Sequence, residues 1–193
     1  MKTIGLAGRA GCGKSAVARL LAERDGVEWI DLDRVAWDAY EPGTEAFYRI
    51  VERFGEDVIG EDGEIDRGEL AVRVFLDPEA KAVLEAIVHP EVAARLSFLI
   101  DDHQDLGTEV LLVEGALLTS SPHVDRSVFD AVIWFDASDE ERERRLAAEG
   151  RAEHAPRGAE VTPGEGAVLV DAEDGIEQVA ARVWEQIQAL PSA

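Results

Sequence analysis

Cysteine is almost absent from this chain: Cys12 stands alone among 193 residues. A single thiol forms no internal disulfide, which fits a reducing compartment, so a cytoplasmic location is expected. No run of about 18 apolar residues occurs, and no membrane-spanning helix is expected. The first residues pass directly into an apolar strand-like run, so no signal peptide is expected. Positive charge is also scarce, with 19 Lys and Arg against 41 Asp and Glu and a formal net charge of -22. Such a balance argues against a nucleic-acid partner and for a solvated acidic surface. Lysine is confined to Lys2, Lys14 and Lys81, so arginine carries most of the positive charge. An anionic substrate would therefore need local arginines. Internal repeats and heptads are lacking as well, while the length suffices for one α/β domain with an insert.

What the chain does have begins at Gly8 to Ser15, which reads GRAGCGKS. This is a complete G-x-x-x-x-G-K-[ST] phosphate-binding pattern, preceded by the apolar run Thr3–Ala7 and followed by a helical pattern from Ala16. Glycines let the backbone curl until several N–H groups face one anion. Lys14 supplies charge for the β- and γ-phosphates of a nucleoside triphosphate, and the Ser15 hydroxyl can ligate Mg²⁺. The positive end of the following helix dipole aims at the same place. The binding set is Gly8, Ala10, Gly11, Cys12, Gly13, Lys14, Ser15 and Ala16. Cys12 is either a small residue tolerated in the loop or a reactive thiol at a helix start.

Strand-like runs at Lys2–Ala7, Val27–Ile30, Val110–Glu114, Ala131–Phe135 and Ala167–Val170 alternate with helical patterns at Lys14–Asp25, Ser138–Glu149 and Ile176–Leu190. Alternation of this kind predicts a parallel sheet covered on both faces. Ser138 with Glu141, and Asp174 with Glu177, read as capping boxes. From Asp33 to about Leu106 the strand signal fades, and helices are predicted at Arg34–Tyr40, Glu45–Phe54, Arg67–Phe75, Pro78–Val88 and Pro90–His103. Asp77-Pro78 supplies a cap and a first-turn proline. Gly150 to Gly166 is rich in glycine, proline and charge and reads as a loop, where P-loop kinases carry a lid. The expected architecture is α/β: a three-layer P-loop kinase-like fold with a five-stranded parallel sheet, a helical substrate-binding insert and a reduced lid. Residues 1–33 and 108–193 would form the nucleotide-binding core, with the lid at about 150–166, and residues 34–107 the insert.

Several side chains have the chemistry for phosphoryl transfer. Asp31 and Asp33 end the second strand (WIDLD), and alternation places them on one face if the strand continues. Either carboxylate could take a proton from an attacking hydroxyl or cap the following helix; Asp33 is the candidate base and Asp31 the cap. Glu114 ends an apolar strand in the manner of a Walker B acid, which holds hydrated Mg²⁺; buried strands also end in carboxylates without such a role. Arg142, Arg144 and Arg145 lie on one predicted helix, and Arg142 and Arg145 share a face. An arginine here could stabilise charge on the transferring phosphoryl, while at least one of the three would pair with Glu140, Glu141 or Glu143 in solvent. His89-Pro90 joins two predicted helices, and the four tryptophans read as core or cleft walls.

These residues resemble the dephospho-coenzyme A kinase family, from Met1 to about Gly115 and again over Phe129–Arg145 and Ala167–Trp184. GLAGRAGCGKSAVARLL resembles the family's phosphate loop and first helix, and IDLDR its aspartate motif. The most specific part is the insert. Phe54-Gly55, Asp62-Gly63, Ile65-Asp66-Arg67, Val74-Phe75 and His89-Pro90 fall where that family has them. The resemblance implies transfer of the ATP γ-phosphate to the ribose 3′-hydroxyl of dephospho-coenzyme A. It implies Asp33 as base, Lys14 and the loop amides as phosphate ligands, and Arg145 as the lid-side arginine. Departures lie in the second half. Ala116 replaces a proline, and a later glutamate is missing before Ser120. Glu149 replaces a second arginine, Asp171-Ala172 replaces Asp-Asn, and the lid is short. A kinase for another small alcohol or nucleoside, and a nucleotide-binding regulator without turnover, are the alternatives these departures raise.

Overall fold

A computed structural model describes residues 1–75, 77–115, 118, 123–155 and 161–191. Its residues fall into two compact units, 1–32 with 100–193, and 33–99. The first unit is built on a five-stranded sheet. Its strands are β1 (Lys2–Ala7), β2 (Val27–Asp31), β3 (Val110–Glu114), β4 (Ala131–Asp136) and β5 (Val168–Asp171). Every pairing is parallel, and the order is β2-β3-β1-β4-β5. Strands buried on two faces read as continuous apolar runs, as VLLVE of β3 does.

Ile4 and Leu6 of β1 face one core, with Val17, Ala18 and Leu21 of α1 (Lys14–Leu21). The helix near the C-terminus (Ile176–Ala189) adds Val179, Val183 and Ile187 to it. The amphipathic spacing of these residues at three and four positions makes the buried stripe of each helix. On the opposite face of β1, Gly5 lets neighbours close in. A Cβ there would meet Val132 Cγ2 at 3.2 Å, with Leu118 and Phe129 next. Between β4 and β5 runs a further helix, Asp139–Ala148.

The second unit is helical: α2 (Leu32–Asp38, entering from the sheet unit), α3 (Glu45–Phe54), α4 (Arg67–Phe75) and most of α5 (Pro78–Asp105). The helix between β4 and β5 is then α6, and the C-terminal one α7. Thr44 caps α3 by accepting from the Phe47 N–H at 3.1 Å, and α3 buries Phe47, Ile50 and Phe54. Asp66 caps α4 through the N–H groups of Gly68 and Glu69. Asp77 caps α5 through those of Glu79 and Ala80, as its sequence indicates.

Four expectations are corrected. The two helices split at His89-Pro90 are one helix, α5. Pro90 and Ala86, whose carbonyl Pro90 cannot bond, are both exposed, so water can serve the freed carbonyl; Ile87, Val88 and Val92 are buried and hold both halves in line. β2 stops at Asp31 and α2 starts at Leu32, so strand alternation does not reach Asp33. Each predicted capping box is at most half formed. Ser138 Oγ accepts from the Glu141 N–H at 3.3 Å, but the Ser138 N–H donates to Glu173, because Glu141 is held by two arginines. Asp174 is drawn to Arg182 instead of the start of α7. Finally, Trp37 is 43% exposed and carries the Arg67 guanidinium at 4.2 Å from its ring centroid, unlike the buried Trp134. Among the described residues no helix is long and apolar enough to cross a membrane.

Candidate functional site: a phosphate loop clamped by arginines

The loop Gly8–Ser15 leaves the carboxyl end of β1 and turns into α1. Gly13 takes φ 93° immediately before the helix, a left-handed conformation that only glycine adopts without strain. Gly11 also has positive φ, and a Cβ there would stand 2.6 Å from the Arg142 carbonyl oxygen and 2.9 Å from Leu146 Cγ. The loop therefore lies directly on α6, closer than any side chain at Gly11 would allow.

Lys14 opens α1 and folds back over the loop. Its Nζ donates to the carbonyls of Gly8 at 2.8 Å and Arg9 at 3.2 Å, with Cys12 Sγ at 3.6 Å. An ammonium held this way sits among the loop's carbonyl dipoles and is aimed mainly by the backbone. Ser15 and Ala16 follow in the first turn of α1, where unpaired helix N–H groups and the dipole favour an anion. Cys12 is buried beneath the loop.

Two of the three arginines of α6 reach the loop. Arg142 Nε donates to the Ala10 carbonyl at 2.8 Å. Arg145 Nη1 donates to the Cys12 carbonyl at 3.3 Å, and its Nη2 to the carbonyls of Ala172 at 2.8 Å and Asp174 at 2.9 Å. Arg145 thus ties the phosphate loop to the β5–α7 turn. Arg144 is the solvated member of the set, 67% exposed and paired with Glu141. Glu141 receives Arg144 and Arg145 at 2.6 and 2.7 Å. Its hydrogen bond from Arg144 is the main reason its carboxyl falls from the ordinary 4.5 to about 2, and the Arg145 charge adds to it. Arg9, within the loop, pairs with Asp139 at 2.9 Å.

Glu114 lies at the carboxyl end of β3, only 3% exposed. It stands in register with Asp31 of β2 on one side and Leu6 of β1 on the other. The sheet therefore sets two carboxylates beside the strand end from which the phosphate loop springs, where open α/β sheets bind ligands. Among the described residues no three His, Cys, Asp or Glu cluster to hold a metal. The Ser15 hydroxyl and the Glu114 carboxylate are hard oxygen donors. That suits Mg²⁺, which keeps several waters and takes the rest of its ligands from phosphates.

Of the residues singled out from sequence, the sheet unit gathers Gly8, Ala10, Gly11, Cys12, Gly13, Lys14, Ser15, Ala16 and Arg145 around one loop, with Glu114 at the neighbouring strand end. Asp33 belongs to the helical unit, exposed in the first turn of α2, two residues along the chain from Asp31. Glu149, where an arginine was expected, caps α6 and pairs with Arg151 at 3.2 Å. Ala116, Ser120 and residues 156–160 of the expected lid lie outside the described residues. From sequence, Arg142 and Arg145 share a face, and the resemblance singles out Arg145 as the lid-side arginine, but nothing in the sequence reveals that both reach loop carbonyls.

A family model described as dephospho-CoA kinase matches residues 2–157. The dephospho-CoA kinase of Corynebacterium glutamicum is 40% identical over 146 residues, spanning 76% of this chain and 72% of that protein. That of Geobacter sulfurreducens is 35% identical, covering 96% of both. Among solved structures, one from Thermus thermophilus superposes with a TM-score of 0.77 at 29% identity, over 100% of this chain and 98% of that one. The dephospho-CoA kinase from Campylobacter jejuni shares the fold, with a TM-score of 0.64 at 19% identity over 97% and 98% of the two chains.

Proposed function

Because the chain belongs to the dephospho-CoA kinase family, we propose that it transfers the γ-phosphate of ATP to the ribose 3′-hydroxyl of dephospho-coenzyme A, giving coenzyme A and ADP. The observation that supports the reading is a complete phosphate loop, with Gly11 and Gly13 at positive φ and Lys14 folded over it, on a chain matched along most of its length by that family. In this reading the amides of Gly11, Gly13, Lys14, Ser15 and Ala16 and the Lys14 ammonium hold the ATP phosphates. Lys14 exchanges its two carbonyl partners for phosphate oxygens, a stronger, charge-assisted pairing. Arg145 borders the loop and the turn after β5, where it can steady phosphates or hold that turn.

Ser15 and Glu114 would hold Mg²⁺, which when bound supplies charge neutralisation at the β- and γ-phosphates. Asp33 acts as base: its carboxylate takes the proton of the 3′-hydroxyl while that oxygen bonds to the γ-phosphorus and the bond to the β-phosphate oxygen breaks. Positioning and electrostatic preorganisation account for most of the acceleration, since the transferring group needs little covalent help. The helical unit, residues 34–107 on sequence grounds, is assigned to the acceptor, and the core, 1–33 and 108–193, to ATP. A coupled ATP assay with dephospho-coenzyme A, with mass analysis of the product, tests the reading. A product heavier by one phosphoryl group and carrying it on the 3′-oxygen is expected; ADP release without that product would refute the acceptor.

A further inference from the structure

α6 carries a charged side chain to which the proposed chemistry gives no task. Arg142 is only 3% exposed. All three of its guanidinium nitrogens are committed: Nε to the Ala10 carbonyl at 2.8 Å, Nη1 to Asp139 at 2.5 Å, and Nη2 to the Ala155 carbonyl at 3.1 Å. Burying a cation is costly unless its donors are matched, and here two of the three acceptors are main-chain carbonyls of separate segments. One belongs to the phosphate loop; the other follows the short 3-10 turn Ala152–His154.

The consequence for the loop follows from the peptide group itself. Among the described residues no peptide is cis, and in a planar trans peptide the C=O and the next N–H point in opposite directions. Holding the Ala10 oxygen toward α6 therefore turns the Gly11 N–H away from α6. Arg145 does the same two residues on: by taking the Cys12 oxygen it turns the Gly13 N–H away. The glycines at 11 and 13, with positive φ, let alternate carbonyls face the helix and alternate amides the other side. Gly11 also abuts the Arg142 main chain, so the same residue supports the loop from below and grips it from the side.

We propose that Arg142 is a positioning residue for nucleotide binding: its guanidinium fixes the Ala10–Gly11 peptide so that the Gly11 N–H is preset toward the triphosphate. The inference rests on the ATP-binding reading above and deepens it. Preset donors bind an anion without the cost of ordering them, so loss of the grip should appear in ATP affinity more than in folding.

Calorimetric ATP binding and steady-state kinetics on wild type, Arg142→Met and Arg142→Lys test this. Ile187→Ala, in the α7 core, serves as a variant that lowers stability without touching the loop. Absent ATP binding in the wild type would strike the kinase reading itself and not the role of Arg142. With wild-type binding in hand, Arg142→Met should raise the ATP Kd at least about tenfold, the worth of a charge-assisted hydrogen bond. The KM for the acceptor should stay within about twofold. Arg142→Lys, able to keep one of the three contacts, should fall between. Ile187→Ala should lower Tm and leave the ATP Kd unchanged. Wild-type ATP affinity in folded Arg142→Met overturns the proposal, as does an equal loss in Ile187→Ala. Should Arg142→Met fail to fold, Arg142→Lys decides: at least about threefold weaker ATP binding supports the proposal and unchanged affinity overturns it.

Discussion

At the scale of the residue, Lys14 and Asp33 separate binding from transfer. Lys14 contributes through its charge, and its ammonium is held by two main-chain carbonyls with Cys12 Sγ beside them, so its removal leaves the apolar core intact. Lys14→Ala is expected to lower turnover at least about a hundredfold, in line with other oxyanion contacts. Near-normal turnover in a folded variant would remove the phosphate-loop assignment. Asp33 lies exposed on α2, outside the unit that carries the loop. Asp33→Asn preserves shape and removes the base, so the ATP Kd should stay within a few-fold while transfer falls by about two to four orders of magnitude. A parallel loss of ATP affinity would place Asp33 with the metal instead. Lys14 is named by a fixed motif spacing, whereas Asp33 is singled out by a strand alternation that stops at Asp31 and by the IDLDR resemblance. Arg142 was not legible in the sequence, because its partners are carbonyls 132 and 13 residues away, which no side-chain pattern records.

Among the elements, α6 does the most with the least apolar content. Its buried residues are Arg142 and Leu146 alone, so its place under the loop depends on ionic and main-chain contacts. Glu141 links two of its arginines, and its depressed carboxyl has a consequence for stability. Between about 2 and 4.5 the folded chain binds fewer protons at this site than the unfolded chain does. The stabilisation is therefore complete above about pH 4.5 and fades as pH falls toward about 2. Glu141→Gln should lower the urea midpoint at pH 6, and the gap from wild type should narrow at pH 3. A gap independent of pH would mean that packing, not charge, is what Glu141 contributes. The same carboxylate explains a failure of local reading: S-x-x-E at Ser138 predicts a reciprocal cap, but two arginines compete successfully for the glutamate. α5 teaches a similar lesson, since a proline is read as a break unless its exposed position is known.

For the whole molecule, the fold was legible wherever burial on two faces wrote itself as apolar runs, and all five strands lie within a residue or so of the sequence reading. Strand order was not legible, because it depends on crossovers that leave no local trace. What the composition does carry into the whole molecule is its charge, a formal -22 over 193 residues. Like charges spread over a folded chain repel, and the folded state feels this more than the expanded chain does. The specific ion pairs described above are short, and the Arg145–Glu141 pair is largely shielded, so added salt weakens them less than it weakens diffuse repulsion. The diffuse repulsion acts through solvent over a Debye length, about 10 Å at 0.1 M and about 3 Å at 1 M, so salt removes it first. Raising NaCl from about 20 mM to about 500 mM should therefore raise Tm by several degrees, with most of the gain below about 200 mM. Sodium sulfate at equal ionic strength should be avoided as the sole probe, since it also strengthens apolar burial. A Tm that stays flat or falls with NaCl would mean that paired charges outweigh the excess ones and that the acidic surface is locally balanced despite its sum.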